Sequence, residues 1–174
     1  RPWVQAAARA GATVRRANFD PRTAELTVGH IRARLSARTR LVAVTAASNL
    51  IGTIPPVAHV ADAAHAVGAL VYVDGVHYTA HHLPDPATLG ADLFVCSPYK
   101  FLGPHCGVLA ADPALLESIE IDKLLPATDV VPERFELGTL PYETMAGATA
   151  AVDFLAAIAP AGAATRRDQL ANSY

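Results

Sequence analysis

The fold is decided by the stretch Asp92-Leu93-Phe94-Val95-Cys96-Ser97-Pro98-Tyr99-Lys100-Phe101-Leu102-Gly103. Its first residues form a short apolar run of the kind that becomes a buried strand, and the Ser-Pro pair ends that run. Lys100 follows directly, between Tyr99 and Phe101, which is an unusual setting because lysine side chains are mostly exposed to water. The stretch therefore predicts a strand that presents a lysine near its carboxyl end.

Similar apolar runs recur along the chain and alternate with helix-like segments, which predicts an α/β sheet, mostly parallel and covered on both faces. Strands are predicted at residues 13–19, 41–44, 70–73, 92–96 and 107–110. Helices are predicted at residues 2–10, 27–35, 57–67, 113–119 and 144–158, with Asp112 as an N-cap.

Ligands of such sheets bind outside the carboxyl ends of the strands. That rule selects three segments, at residues 45–53, 74–82 and 97–103, where polar residues, Gly and Pro collect. Residues 123–142 show little periodicity and are predicted to be partly irregular.

Composition bounds the class of protein. The 174 residues are 52% hydrophobic with a net charge of −2, which predicts one domain with a sizeable core and neither nucleic acid nor an anionic membrane as partner. No apolar run is long enough for a membrane span. Only Cys96 and Cys106 occur, so no disulfide framework is expected, and a reducing, cytoplasmic setting is the default.

Asp74 follows the strand predicted at residues 70–73, as Lys100 follows the next one. A carboxylate and a lysine in these places suit pyridoxal 5'-phosphate (PLP), since the lysine forms a Schiff base and the aspartate pairs with the pyridinium nitrogen. Charge pairing keeps the ring protonated and therefore an electron sink. The alternatives are a turn residue for Asp74 and a solvated surface residue for Lys100.

Four segments, at residues 48–53, 71–77, 96–104 and 134–139, follow one another along the chain, with Asp74 and Lys100 separated by 26 residues. Together they resemble class V PLP-dependent aminotransferases of the cysteine-desulfurase-like branch. The resemblance implies the three-layer, mostly parallel sheet of the fold-type I large domain, present in part. Because the chain begins with Arg1 in mid-pattern, we interpret residues 1–143 as the central part of that PLP-binding domain and residues 144–174 as a helix leading toward a C-terminal domain.

The resemblance also implies roles for individual residues. Lys100 would carry PLP and shuttle the substrate Cα proton, and His77 would donate to the cofactor's phenolic oxygen, where the family more often has Gln. Ser97 and Tyr99 would bind the phosphate, although Tyr99 replaces the usual His of the desulfurases. Asn49 would lie near the substrate carboxylate and the cofactor's phenolic oxygen. His77, Ser97 and Asn49 each have a plain structural alternative as a loop or turn residue.

Thr139, in a Gly-Thr pair, would reach the phosphate of a neighbouring subunit's cofactor, which implies a homodimer with a shared site. A metal site built from His77, His81 and His82 is not expected, because no carboxylate or cysteine cluster accompanies them. Cys96 and Cys106 do not match the position of the desulfurase nucleophile, and both are predicted to be buried and inert.

The predicted function is transamination of an α-amino acid. Cysteine desulfuration and kynureninase-like C–C hydrolysis stay open, because PLP carries the chemistry and the surrounding protein selects the bond. A non-catalytic relative would be expected to lose Lys100 or Asp74. An NAD-binding domain would need a Gly-x-Gly-x-x-Gly turn, which is absent from this sequence.

Overall fold

A computed structural model describes residues 2–136, 138–159 and 162–174. Its centre is a four-stranded sheet in the order β1-β2-β3-β4. The first three strands are parallel, and β4 runs antiparallel to β3, so the predicted mostly parallel α/β sheet is confirmed. The strands are β1 (Leu41–Thr45), β2 (Leu70–Asp74), β3 (Leu93–Cys96) and β4 (Val108–Ala111).

Helices connect and flank these strands. Asp112 caps α4 as predicted, because its Oδ1 accepts a hydrogen bond from the Ala114 N–H at 2.8 Å. Within the described residues, no helix combines the length and apolarity that crossing a bilayer would take. The helices are α1 (Pro2–Arg9), α2 (Val28–Arg32), α3 (Val57–His65), α4 (Pro113–Ser118), α5 (Tyr142–Ala157) and α6 (Arg166–Ser173).

The core lies on one face of the sheet. Val71 and Val73 of β2 are fully buried there beside Phe94 of β3, and α2 and α3 pack over them. On the opposite face Trp3 of α1 meets Tyr72 edge to face, with ring centroids 4.7 Å apart. Burial therefore alternates along β1 and β2, because the second face is covered only in part.

The prediction of a strand at residues 13–19 is wrong. That stretch is irregular and mostly exposed, and among the described residues β1 pairs with β2 alone. Ala17 packs against the core, whereas Arg15 reaches the turn after α2 and donates from Nη1 to the Arg34 carbonyl at 3.4 Å. Two adjacent arginines leave this stretch too little apolar surface to be buried as a sheet strand.

Residues 123–136 and 138–141 are irregular as predicted, apart from a short 3₁₀ turn at Glu133–Phe135, and Tyr142 begins α5. Two further 3₁₀ turns, Tyr78–Ala80 and Pro98–Phe101, follow β2 and β3 and pack against each other. Both turns lie at the carboxyl edge of the parallel strands.

Candidate active site

Asp74 is the last residue of β2 and stands in register with Thr45 of β1 and Val95 of β3. Its side chain is exposed at the carboxyl edge. Oδ1 accepts a hydrogen bond from the Val76 N–H at 3.0 Å, which holds the carboxylate in a local turn. A carboxylate has about four acceptor positions, so this bond leaves capacity for a ligand.

Gly75 shows how tightly this turn is packed. Its N–H donates to the Val95 carbonyl at 2.8 Å, and a Cβ here would lie only 2.1 Å from Cζ of the buried Phe94. Only glycine lets the chain pass over the phenyl ring at this distance. Packing against Phe94 therefore sets the height at which Asp74 leaves the sheet.

Lys100 lies in the turn Pro98–Phe101, directly after β3, and its backbone N–H donates to the Ser97 carbonyl at 2.9 Å. The side chain is exposed, with Nζ 5.5 Å from the centroid of the Tyr99 ring. Because β2 and β3 are adjacent and parallel, Asp74 and Lys100 follow neighbouring strand ends at one edge.

The segment 97–106 forms a closed loop around Lys100. The Ser97 hydroxyl donates to the Cys106 carbonyl at 3.0 Å, and the Gly103 N–H donates to the Pro98 carbonyl at 2.8 Å. A Cβ on Gly103 would lie 2.7 Å from the Pro98 Cβ and 2.9 Å from its carbonyl oxygen, so this closure requires glycine.

The two predicted phosphate ligands differ in their present hydrogen bonding. The Ser97 hydroxyl has a single proton, and it points to the Cys106 carbonyl, so donating to a phosphate would require giving up that bond. The Tyr99 side chain is 51% exposed and stacks on His105, with centroids 4.3 Å apart and an interplanar angle of 24°. Sequence reasoning did not identify His105.

His77 directly precedes the turn Tyr78–Ala80 and makes an edge contact with His81, with ring centroids 4.8 Å apart. The turn is anchored by the buried Thr79, whose hydroxyl donates to the Gly75 carbonyl at 2.8 Å. Across the described residues, no group of three or more His, Cys, Asp or Glu side chains is arranged to hold a metal ion.

Asn49 is exposed in the loop after β1. Ser48 organises this loop, because its hydroxyl oxygen accepts from the N–H groups of Leu50 and Ile51, each at 3.3 Å. Thr139 is also exposed, but it does not line the cleft that lies between the Lys100 turn, His81 and the end of α6. Leu137, in the same predicted segment, lies outside the described residues.

That cleft has a volume of about 340 Å³ and is bounded by the Lys100 turn, by His81 and by the end of α6. The Tyr174 hydroxyl donates to the Thr79 carbonyl at 2.8 Å, which fixes α6 against this edge. Burial raises the pKa of Tyr174, with a smaller contribution from Cys96. Asp74 does not line the cleft, so the cleft flanks the predicted cofactor position on the Lys100 side.

The prediction that Cys96 and Cys106 are buried is only partly right, since both are half-buried. The two cysteines lie close to the junction of the antiparallel strands β3 and β4. Burial raises the pKa of the Cys96 thiol, and neighbouring Cys106 raises it further. A raised pKa reduces the thiolate fraction and therefore nucleophilicity at neutral pH.

The chemistry of these side chains fits PLP. Asp74 offers an anion for the pyridinium nitrogen, Lys100 an exposed primary amine for the aldehyde, and Tyr99 a hydroxyl for the phosphate. Of the two lysines in the chain, Lys123 is held by Asp129 at 3.0 Å and by a backbone carbonyl at 2.7 Å. Lys100 has no ion-pair partner within the described residues, so its amine is the available one.

Known proteins are similar to this chain in sequence and in fold. The uncharacterized protein MT3887 of Mycobacterium tuberculosis is 34% identical and covers 99% of this chain, and a cysteine desulfurase of Enterobacter is 36% identical over 90% of it. The crystal structure of the cysteine desulfurase CsdA from Escherichia coli matches 89% of the chain with a TM-score of 0.79 and 28% identity.

The chain spans 43%, 42% and 42% of the lengths of these three proteins, respectively. The family model described as aminotransferase class-V matches residues 1–174. This chain therefore belongs to the class-V aminotransferase family.

Proposed function

We propose that the whole protein is a PLP-dependent enzyme that acts on an α-amino acid. Members of this family use PLP as cofactor. The observation that carries the proposal is the placement of Asp74 and Lys100 at the ends of the adjacent parallel strands β2 and β3. This edge is where ligands of parallel sheets bind.

Lys100 would hold the cofactor covalently through its amine and, once freed, would take and return the proton at the substrate Cα. Asp74 would keep the ring nitrogen protonated by charge pairing. PLP, when bound, supplies the electron sink that stabilises negative charge at that carbon. The exposed Lys100 side chain has the freedom that both of its roles require.

The other proposed residues would orient the ligands. Tyr99 and Ser97 would donate to the phosphate, and His77, next to the end of β2, would donate to the cofactor's phenolic oxygen. Asn49, exposed in the loop after β1, would lie near the substrate carboxylate and the cofactor's phenolic oxygen. Thr139 is exposed away from the cleft, which suits a role in the site of a second subunit and hence a homodimer.

For the reaction we propose transamination first, with release of sulfur from cysteine as the second candidate. Similarity to proteins named cysteine desulfurases favours the second reaction. Neither cysteine of this chain suits the nucleophile's role, because both are half-buried, Cys96 has a raised pKa, and Cys106 is held at the end of the closed loop 97–106. A desulfurase would therefore need a cysteine from outside these residues.

The cofactor claim is tested by reducing PLP-loaded full-length protein with borohydride and mapping the labelled peptide by mass spectrometry. We expect the label on Lys100 and its loss in Lys100→Ala. Lys123→Ala is the matched control, because Lys123 is the other lysine of the chain and is engaged with Asp129. A label on any other lysine, or none at all, would contradict the proposal.

The two reactions differ in their products. Transamination of an amino acid would yield its keto acid and leave the amino group on the cofactor. Desulfuration of cysteine would yield alanine and enzyme-bound sulfur, which a thiol reductant releases as sulfide. A panel of amino acids with both products measured decides between them, and sulfide with alanine as the main products would reject transamination.

A further inference from the structure

His105 and Tyr99 face each other across the closed loop 97–106. Their rings are 4.3 Å apart and inclined by only 24°, which is a stacked arrangement. The Tyr99 side chain is 51% exposed, so little other packing holds its ring in place. Stacked aromatic pairs add stability beyond the area that they bury, and here the stack restricts the tyrosine rotamer.

The backbone on the His105 side of this pair is fixed independently of Tyr99. The Cys106 N–H donates to the Pro104 carbonyl at 3.0 Å, and the Cys106 carbonyl accepts from the Ser97 hydroxyl at 3.0 Å. His105 lies between these two anchored residues. It therefore presents its ring from a backbone that is tied to the end of β3.

A stack engages the face of the tyrosine ring and leaves the hydroxyl at the ring edge available as a donor. Lys100 lies next in sequence, with Nζ 5.5 Å from the same ring. Fixing the Tyr99 ring thus fixes its hydroxyl, on a ring that lies near the Lys100 amine that would hold the cofactor. Ser97, by contrast, donates its single hydroxyl proton to the Cys106 carbonyl, which closes the loop.

We propose that His105 is a positioning residue that holds the Tyr99 hydroxyl ready to donate to the cofactor phosphate. This inference rests on the proposed function, since it takes PLP as the ligand and Tyr99 as a phosphate donor. His105 acts through the face of its ring rather than through contact with the cofactor. Any flat aromatic side chain at position 105 should therefore serve in its place.

The test compares PLP with pyridoxal, which lacks the phosphate, by titrating apo full-length protein and measuring the dissociation constants. We expect His105→Ala to weaken PLP binding about 2- to 10-fold, the range of a lost aromatic pair, and to leave pyridoxal binding unchanged. His105→Phe should bind PLP within about 2-fold of the wild type. His59→Ala, on the exposed side of α3, is the control for loss of a histidine.

Tyr99→Phe completes a double-mutant cycle with His105→Ala, because it keeps the stacked ring and removes the hydroxyl. We expect His105→Ala to have no further effect on PLP binding in the Tyr99→Phe background. The role of His105 would be overturned by any of three results. His105→Ala could weaken PLP and pyridoxal binding equally, or weaken PLP binding in the Tyr99→Phe background as much as in the wild type. His105→Phe could also bind PLP as weakly as His105→Ala.

The two proposals fail in different ways. If wild-type protein is labelled on Lys100 but His105→Ala binds PLP like the wild type, only the role of His105 is rejected. If wild-type protein takes up no PLP, or is labelled elsewhere, the proposed function falls and the role of His105 falls with it.

Discussion

Gly75→Ala should strongly destabilise the protein, because the new methyl group has no room. Its carbon would lie 2.1, 2.6 and 2.9 Å from three carbons of the Phe94 ring, whereas carbon atoms pack at about 3.5–4.0 Å. Phe94 is 3% exposed and cannot swing out to solvent. Overpacking of a core typically costs about 1–3 kcal/mol, and three simultaneous clashes place this substitution at about 3 kcal/mol. For a domain of this size, that lowers the melting temperature by about 6–12 °C.

Urea and thermal unfolding of purified protein measure the effect. Gly107→Ala is the matched control, since a Cβ there meets nothing within 4 Å, and we expect it to stay within about 1 kcal/mol of the wild type. Phe94→Leu should make room for the methyl group, so the double variant should be more stable than the sum of the two single effects predicts. The reasoning is refuted if Gly75→Ala matches Gly107→Ala, or if the two changes at Gly75 and Phe94 are simply additive.

Three further substitutions test the other end of the sheet and its open face. Asp92→Ala should lower the free energy of unfolding in urea by about 1–3 kcal/mol, because the Asp92 carboxylate accepts a hydrogen bond from the N–H of buried Val71 at 2.7 Å. His65→Ala removes only a half-exposed partner of Asp92 and should lower it by less than about 1 kcal/mol. Burial, followed by the charge of Asp74, raises the pKa of Tyr72 above 10.0, so the folded state holds this proton longer than the unfolded chain and stability falls as pH rises past about 10. Tyr72→Phe should flatten that alkaline decline in a pH series of melting temperatures, and an unchanged slope would contradict the assignment.

The fold follows from the sequence where the signal is local. The apolar runs at 70–73 and 92–96 became strands because a short continuous apolar run must be buried. The prediction of a strand at residues 13–19 failed because strand pairing is decided by neighbouring strands and not by the stretch itself. Helix α6 was not predicted as a helix separate from α5, although Thr165 and Asp168 form a capping box that marks its start.

The site divides in the same way. Asp74 and Lys100 were predictable, because topology alone brings the residues that follow parallel strands to one edge. His105 and Tyr174 were not, because their contacts depend on how loops close and how α6 packs.

The loop closure between Pro98 and Gly103 shows why. It relies on a glycine whose need is visible only when the approach of 2.7 Å is known, and that closure is what sets His105 opposite Tyr99. Groups that would touch the cofactor are thus specified by strand order, whereas groups that support them are specified by packing. Substitution of the supporting groups should therefore change affinity for the cofactor gradually, while substitution of Lys100 should abolish its covalent attachment.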